Sequence, residues 1–228
     1  NRRARRVVIH ACCVPPDTGN KTDGGIILSA SHNPGGIDED FMIKFNAANG
    51  GPAPEGLTDT IYVKTKAMQS YGIWNGEKPS IDVLGESHLS EMVVNVVDSV
   101  SDYADLMETL FYFGAIRNLF AEDFRMQFDA MNAITGPYAV EVLEKRLGAA
   151  KVTVAHGTPL PDFGDMHPYT NPTWAHELMA EMFSEGGPDF GAAPDGDGDR
   201  NMVLRHNSYV SPSDSLALIA AHAQKAPG

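Results

Sequence analysis

The stretch Phe190-Gly-Ala-Ala-Pro-Asp-Gly-Asp-Gly-Asp-Arg-Asn-Met-Val-Leu204 places an acidic, glycine-rich segment between two short apolar runs. Residues 190–193 and 202–204 predict two strands, and residues 195–200 predict the loop between them. Ligands of α/β folds bind at the carboxyl ends of strands. This strand-loop-strand unit therefore fixes both a fold element and a candidate site.

Upstream of this unit, predicted strands and helices alternate. The helices are expected at 100–111, capped by Asp98 or Ser99, and at 137–147, 173–183 and 215–223. The strands are expected at 124–128 and 151–155. This order predicts the α/β class, with layered α/β/α domains and mixed, largely parallel sheets.

The earlier part of the chain predicts a second, smaller unit. Strands are expected at 25–28 and 41–45, with the loop Ser29–Gly36 between them and a helix over 55–70. We therefore divide the chain into three parts. They are an irregular N-terminal tail (1–23), a partial first domain with the serine loop (24–95), and a second α/β domain with the acidic loop (96–228).

Charge and composition exclude several classes of function. The 228 residues carry a formal net charge of −13, and four of the 17 basic residues lie within the first six positions. The remaining body repels nucleic acid and anionic membranes, so neither partner is expected. No apolar run approaches the roughly 20 residues of a membrane span. The two adjacent cysteines, Cys12 and Cys13, predict a reducing compartment, the cytoplasm.

The acidic loop predicts a metal site. Asp195, Asp197 and Asp199 are separated only by glycine, and their mutual repulsion is relieved when a cation lies among them. Oxygen ligands suit Mg²⁺ or Ca²⁺. An EF-hand is excluded because Arg200 stands where its glycine is needed and His206 where its bidentate Glu is needed. A solvated acidic turn remains the alternative.

The serine loop is less specific by itself. Ser31 could act as a nucleophile, His32 could move a proton and Asn33 could offer its amide, but such loops are also common as plain turns. Lys44 lies on the predicted return strand and is expected to come back toward this loop. Arg200 can bind a phosphate beside the metal. Together these groups predict phosphoryl transfer.

Both loops resemble those of a known family. The segments G-G-I-I-L-S-A-S-H-N-P-G-G (24–36) and A-A-P-D-G-D-G-D-R (192–200) resemble the active-site serine loop and the metal loop of the α-D-phosphohexomutases. The segments at 41–55 and 129–138 are most similar to the phosphoglucomutase branch. The resemblance covers roughly residues 24–220, and the order and spacing of the two loops make it specific.

The resemblance implies an isomerase that interconverts glucose 1-phosphate and glucose 6-phosphate through a phosphoserine. Glucose 1,6-bisphosphate would be the intermediate and activator, and Mg²⁺ the cofactor. The implied roles are: Ser31, His32 and Lys44 catalytic; Arg200 and Asn33 in phosphate binding; Asp195, Asp197, Asp199 and an oxygen on Ser31 as metal ligands.

The chain also departs from the family pattern. Complete members have four domains, and neither the Gly-Glu-Glu-Ser sugar loop of the third domain nor the Arg-x-Ser-Gly-Thr phosphate loop of the fourth has a counterpart here. Pro194 replaces an aromatic residue, and Tyr169 stands where the family tends to have Asp. We therefore expect little or no mutase activity from these 228 residues alone. A non-catalytic paralogue that binds a divalent metal or a phosphosugar, and a phosphomannomutase, are the alternatives.

Overall fold

The computed structural model describes residues 23–225 and, for the backbone alone, Val7–Ile9. In the first unit, strand β1 (Val7–Ile9) pairs in parallel with β2 (Gly24–Ser29), which pairs antiparallel with β3 (Met42–Ala47). Helix α1 (Glu55–Ala67) follows β3. Strand β1 corrects the prediction of an irregular tail over 1–23, because three of its residues extend the sheet. Residues 1–6 and 10–22 lie outside the described residues, and with them Cys12 and Cys13.

A two-stranded hairpin separates the first unit from the second. Strand β4 (Gly85–Leu89) pairs antiparallel with β5 (Met92–Val96). The turn between them places Ser90 in the left-handed region, at φ +56°. This turn lacks the glycine or Asn-Gly signal that would announce a hairpin in the sequence, so no strands were predicted over this stretch.

The second unit is built on a five-stranded sheet in the order β10-β9-β8-β6-β7. Its strands are β6 (Met126–Asp129), β7 (Val154–Ala155), β8 (Phe190–Pro194), β9 (Asn201–Arg205) and β10 (Ser208–Val210). Strand β6 is parallel to β7 and β8, whereas β9 is antiparallel to β8 and β10. The α/β class is confirmed, and the sheet is mixed, with fewer parallel ladders than predicted.

Helices flank this sheet. They are α2 (Ser99–Leu110), α3 (Phe113–Ala121), α4 (Thr135–Ala139, continuing as a π-helix over Val140–Arg146), α5 (His176–Met182) and α6 (Pro212–His222). The predicted cap Asp98 accepts hydrogen bonds from Val100 N–H and Ser101 N–H. Ser211 caps α6, so this helix begins three residues before the predicted start at residue 215. Among the described helices, none is long and apolar enough to cross a bilayer.

The core that supports the acidic loop lies between α5 and the strands on either side of that loop. Its buried side chains are Met131, Ala175, Leu178, Met182, Ala193, Met202 and Leu204. Glycine at 191 lets Met182 approach, since a Cβ there would come to 2.8 Å from the Met182 sulfur. Burial of these apolar groups fixes the ends of β8 and β9, and through them the loop.

Candidate active site

The serine loop begins where β2 ends. Ser31 has φ +57°, an uncommon conformation for a residue other than glycine, and is only 6% exposed. Its backbone N–H donates to Ser29 Oγ at 2.7 Å. Its own Oγ lies 3.4 Å from His32 Nδ1. Ser31 is therefore held in a defined, strained backbone conformation with His32 beside its hydroxyl.

The acidic loop brings its three carboxylates together. One oxygen each of Asp195, Asp197 and Asp199 can be chosen so that all three lie within 4.8 Å of one another. Asp195 is fully buried, whereas Asp199 is exposed. The loop is closed by Asp195 N–H donating to the Arg200 carbonyl at 3.2 Å, directly after Pro194. The side chains therefore converge as the metal prediction requires.

The two loops meet although they lie far apart in sequence. Ser29 Oγ donates to Asp197 Oδ2 at 3.0 Å. Lys44 Nζ donates to the same oxygen at 2.5 Å and lies 3.7 Å from Asp199. Because β3 returns antiparallel to β2, Lys44 comes back toward the serine loop, as predicted. The first unit thus supplies a hydroxyl and a cation to the carboxylates of the second.

Arg200 joins the acidic loop to Ser31. Its Nε donates to Asp195 Oδ2 at 3.0 Å, and its Nη2 donates to Ser31 Oγ at 3.4 Å. Nη2 also makes a close contact with His32 Nδ1. The guanidinium of Arg200 therefore lies against both the His32 ring and the Ser31 hydroxyl. Arg200 is therefore anchored on a buried carboxylate while it faces the serine.

The electrostatic balance of the site favours a cation. Burial raises the pKa of Asp195, and the charges of Asp197 and Asp199 add to that effect. Burial alone would also raise the pKa of Asp197, but hydrogen bonds from Lys44 and Ser29 outweigh it and lower the pKa. Burial alone would lower the pKa of Lys44, but the hydrogen bond to Asp197 and the charge of that carboxylate outweigh it and raise the pKa. Two cations, Lys44 and Arg200, face three carboxylates.

This donor set fits a hard divalent ion. The oxygens of Asp195, Asp197 and Asp199 are those Mg²⁺ prefers, and they surround a region of excess negative charge. Among the residues that the structure describes, no other group of three His, Cys, Asp or Glu side chains brings its ligand atoms so close together.

Two parts of the site differ from what the motifs suggested. The Asn33 side chain donates to Asp40 Oδ2 at 2.8 Å, within the same segment between β2 and β3. Tyr169, noted in the sequence only as a departure from the family, lies with its ring 5.1 Å from the His32 ring and 5.7 Å from Arg200 Cζ. No local pattern announces this contact, because 137 residues separate Tyr169 from His32.

Sequence comparisons match both units. The family described as "Phosphoglucomutase/phosphomannomutase, alpha/beta/alpha domain I" matches residues 17–72, and the family described as domain II of the same proteins matches residues 101–208. The two matches together cover well over half of the chain, and each contains one of the two loops.

Curated relatives and a solved structure agree. A protein of Rhizobium radiobacter named phosphoglucomutase is 58% identical over 91% of this chain, and a chloroplastic phosphoglucomutase of Solanum tuberosum is 49% identical over 90%. The open form of parafusin from Paramecium, titled a phosphoglucomutase, superposes with a TM-score of 0.84 at 42% identity over 91% of this chain.

The chain spans 38% and 33% of the length of the two curated relatives, and 39% of the Paramecium chain. The match therefore concerns the portion of these proteins that contains their first two α/β/α domains. Within that portion, the two family models cover both loops, and the fold is similar to that of the Paramecium protein. The chain belongs to the phosphoglucomutase/phosphomannomutase family, of which it represents domains I and II.

Proposed function

We propose that this chain carries the phosphoryl-transfer centre of a mutase that interconverts glucose 1-phosphate and glucose 6-phosphate. The observation that carries the proposal is the position of Arg200, which bridges buried Asp195 and the hydroxyl of Ser31 across 169 residues of sequence. A nucleophilic hydroxyl next to an anchored guanidinium and a carboxylate cluster is what phosphoryl transfer requires.

Each side chain then has a role. Phosphorylated Ser31 donates its phosphoryl group to a sugar hydroxyl: the bond from Ser31 Oγ to phosphorus breaks and a new bond forms to the sugar oxygen, while the sugar hydroxyl gives up its proton and Oγ takes one up. His32, 3.4 Å from Ser31 Oγ, is placed to handle the proton that Oγ takes up. Arg200 and Lys44 supply the positive charge that orients the phosphoryl oxygens. Asn33 is proposed as a phosphate contact from the family resemblance, although its amide donates to Asp40 in this structure.

The carboxylates of Asp195, Asp197 and Asp199 would hold Mg²⁺ together with an oxygen of phosphorylated Ser31. When bound, the ion would neutralise phosphoryl charge as a Lewis acid. The buried position of Asp195 and Asp197, at 0% and 7% exposure, keeps their oxygens away from competing water.

The sugar must be held elsewhere. The resemblance assigns sugar and distal-phosphate binding to later domains of the family, and this chain matches 38% of its Rhizobium relative. We therefore propose that the 228-residue chain accepts phosphate on Ser31 but turns over glucose 1-phosphate slowly, since the sugar is not held in line.

The test is the phosphorylation of Ser31. The 228-residue chain would be incubated with Mg²⁺ and glucose 1,6-bisphosphate, its intact mass measured, and the phosphate localised by fragmentation. We expect one phosphoryl group on Ser31 and none in the matched variant Ser31→Ala. An unmodified Ser31 would contradict the proposal and indicate the non-catalytic paralogue. Repeating the experiment with mannose 1,6-bisphosphate would test the phosphomannomutase alternative.

A cytoplasmic location is a separate proposal. It rests on the acidic body and on adjacent thiols in place of a disulfide framework. Because the relative from Solanum tuberosum is named chloroplastic, fractionation of the source cells is the appropriate test. Recovery of the native protein with an organelle would contradict a cytoplasmic location.

A further inference from the structure

The ring of Tyr169 is the inner end of an aromatic column and lies beside His32 and Arg200. On one side, its ring centroid is 5.1 Å from that of His32, and the Arg200 guanidinium carbon lies 5.7 Å from the same ring. On the other side, Tyr169 stacks on His167 at 6.0 Å, and His167 packs edge-on against Trp174 at 4.3 Å. We define the aromatic column as Trp174, His167 and Tyr169.

The backbone holds this column firmly. Tyr169 N–H donates to the His167 carbonyl at 2.7 Å, and Asn171 N–H donates to the Tyr169 carbonyl at 2.8 Å. Pro168 between them is fully buried, and its ring would lie 3.3 Å from a Cβ placed on Gly196 of the acidic loop. The segment is therefore packed against the acidic loop rather than carried freely over it.

The residues that Tyr169 contacts need such support. Arg200 is 40% exposed, and its Nη2 is shared between Asp195, His32 and Ser31. Of these three partners, Asp195 is the one that is both buried and acidic, so it is the main anchor of the guanidinium. An aromatic face attracts a guanidinium while its planar N–H donors keep their hydrogen-bond partners. A ring beside His32 likewise limits the rotation of the imidazole.

We propose that Tyr169 is a positioning residue of the phosphoryl-transfer site, whose ring holds the side chains of Arg200 and His32 against the hydroxyl of Ser31. The inference rests on the proposed function for its catalytic consequence, whereas the positioning itself is a property of the free protein. Because the contacts are made by the ring, a phenylalanine at position 169 should preserve the positioning and an aliphatic residue should not.

The experiment compares Tyr169→Phe with Tyr169→Met, which keeps much of the volume but removes the ring. Tyr71→Leu is the control, because it also removes a tyrosine ring and Tyr71 is 79% exposed. The first readout is the solvent exchange of the Arg200 Nε–H, measured by NMR without metal or substrate. The second is the single-turnover rate of phosphate transfer from glucose 1,6-bisphosphate to Ser31.

In Tyr169→Met we expect Arg200 Nε–H exchange to rise by about three- to tenfold, and transfer to slow by a similar factor, the range expected for loss of a cation–π contact. Tyr169→Phe and Tyr71→Leu should match the wild type in both. Mn²⁺ affinity should change less than about twofold in Tyr169→Met, because the ring contacts Arg200 rather than the carboxylate triad.

Unchanged Arg200 exchange in a folded Tyr169→Met variant would overturn the inference, whatever the transfer rate. If the wild type takes no phosphate, the proposed function fails while the exchange result still decides the positioning role. If Tyr169→Met does not fold, Trp174→Leu is used instead, because it removes the outer residue of the aromatic column. We expect Arg200 Nε–H exchange to rise in this variant too, by a smaller factor. No rise in that variant would then overturn the inference.

Discussion

Gly196 packs directly against the backbone of Ser31: a Cβ at position 196 would come to 2.1 Å from the Ser31 carbonyl oxygen. No side chain can be accommodated at that separation unless one of the two backbones moves. The glycine between the first two carboxylates therefore serves a purpose beyond the turn. It allows the acidic loop to approach the serine loop, so that Ser29 and Lys44 reach Asp197.

The variant Gly196→Ala should accordingly separate the two loops. We expect Ser31 phosphorylation by glucose 1,6-bisphosphate to fall by at least about tenfold, since a shift near 1 Å at a reacting centre has effects of that order or more. Gly114→Ala is the matched control, because nothing lies within 4 Å of a Cβ there. It lies in α3, so alanine should leave phosphorylation unchanged. Wild-type phosphorylation in Gly196→Ala would contradict the close packing.

Lys44 competes with a divalent cation for the same carboxylates. Its ammonium lies 2.5 Å from Asp197 and 3.7 Å from Asp199. Removing this charge in Lys44→Gln should tighten Mn²⁺ binding to the unphosphorylated chain by roughly tenfold, because one repelling cation is lost near the ion. Isothermal titration calorimetry measures the affinity. Lys64→Gln makes the same charge change on α1 and should have no effect; weaker binding in Lys44→Gln would refute this prediction.

Ionised Asp195 and ionised Asp197 should have opposite effects on the folding stability of the metal-free chain. The raised pKa of Asp195 means that its ionised form is disfavoured by folding, so ionisation above that pKa costs stability. The lowered pKa of Asp197 means that its ionised form stabilises the fold, and this contribution is lost as the pH falls through that pKa. At neutral pH, Asp195→Asn should therefore stabilise the chain and Asp197→Asn should destabilise it.

Each change should shift the metal-free Tm by roughly 2–4 °C, as about 1 kcal/mol does for a chain of this size. Thermal unfolding in the presence of EDTA measures both shifts, and both variants should respond less to added Mg²⁺ than the wild type. A fall in Tm for Asp195→Asn would show that its pairing with Arg200 outweighs the cost of burial.

Much of this site could be predicted from the sequence, because its chemistry lies in two loops marked by glycine and proline. The acidic triplet, the serine loop and the return of Lys44 all follow from local spacing and from the antiparallel pairing of two neighbouring strands. Tyr169 could not be predicted, because its role depends on how the segment after β7 folds over the loops. A tertiary contact of this kind leaves no periodic signal.

In the fold, too, elements with a clear local signal could be predicted and elements without one could not. The strands on either side of the acidic loop were predicted to within two residues, since apolar runs ended by turn residues are distinctive. Helix α3 was missed, because α2 and α3 are separated only by Phe111 and Tyr112, and neither residue signals a helix end. Strand β10 was missed because Asn207, with φ +55°, provides the turn without glycine.

The cap of α2 offers a stability test away from the site. The carboxylate of Asp98 accepts from Val100 N–H at 3.0 Å and from Ser101 N–H at 3.1 Å. Its hydrogen bonds with Ser101 lower the pKa of Asp98, so its stabilisation is present at neutral pH and declines as the pH falls through that pKa. Asp98→Ala should cost about 1 kcal/mol in urea unfolding, and Asp98→Asn much less. Equal losses in both variants would contradict capping.

Ser29 connects the two loops through a single hydroxyl. Its oxygen accepts from Ser31 N–H at 2.7 Å and donates to Asp197 Oδ2 at 3.0 Å. Ser29→Ala leaves the Ser31 hydroxyl in place but removes both bonds, so the Ser31 backbone loses the partner that holds its left-handed conformation. We expect phosphorylation of Ser31 to slow by about tenfold and Mn²⁺ to bind more weakly. Ser29→Thr keeps the hydroxyl and should retain most of both, so equal losses in the two variants would assign the effect to packing rather than to the hydrogen bonds.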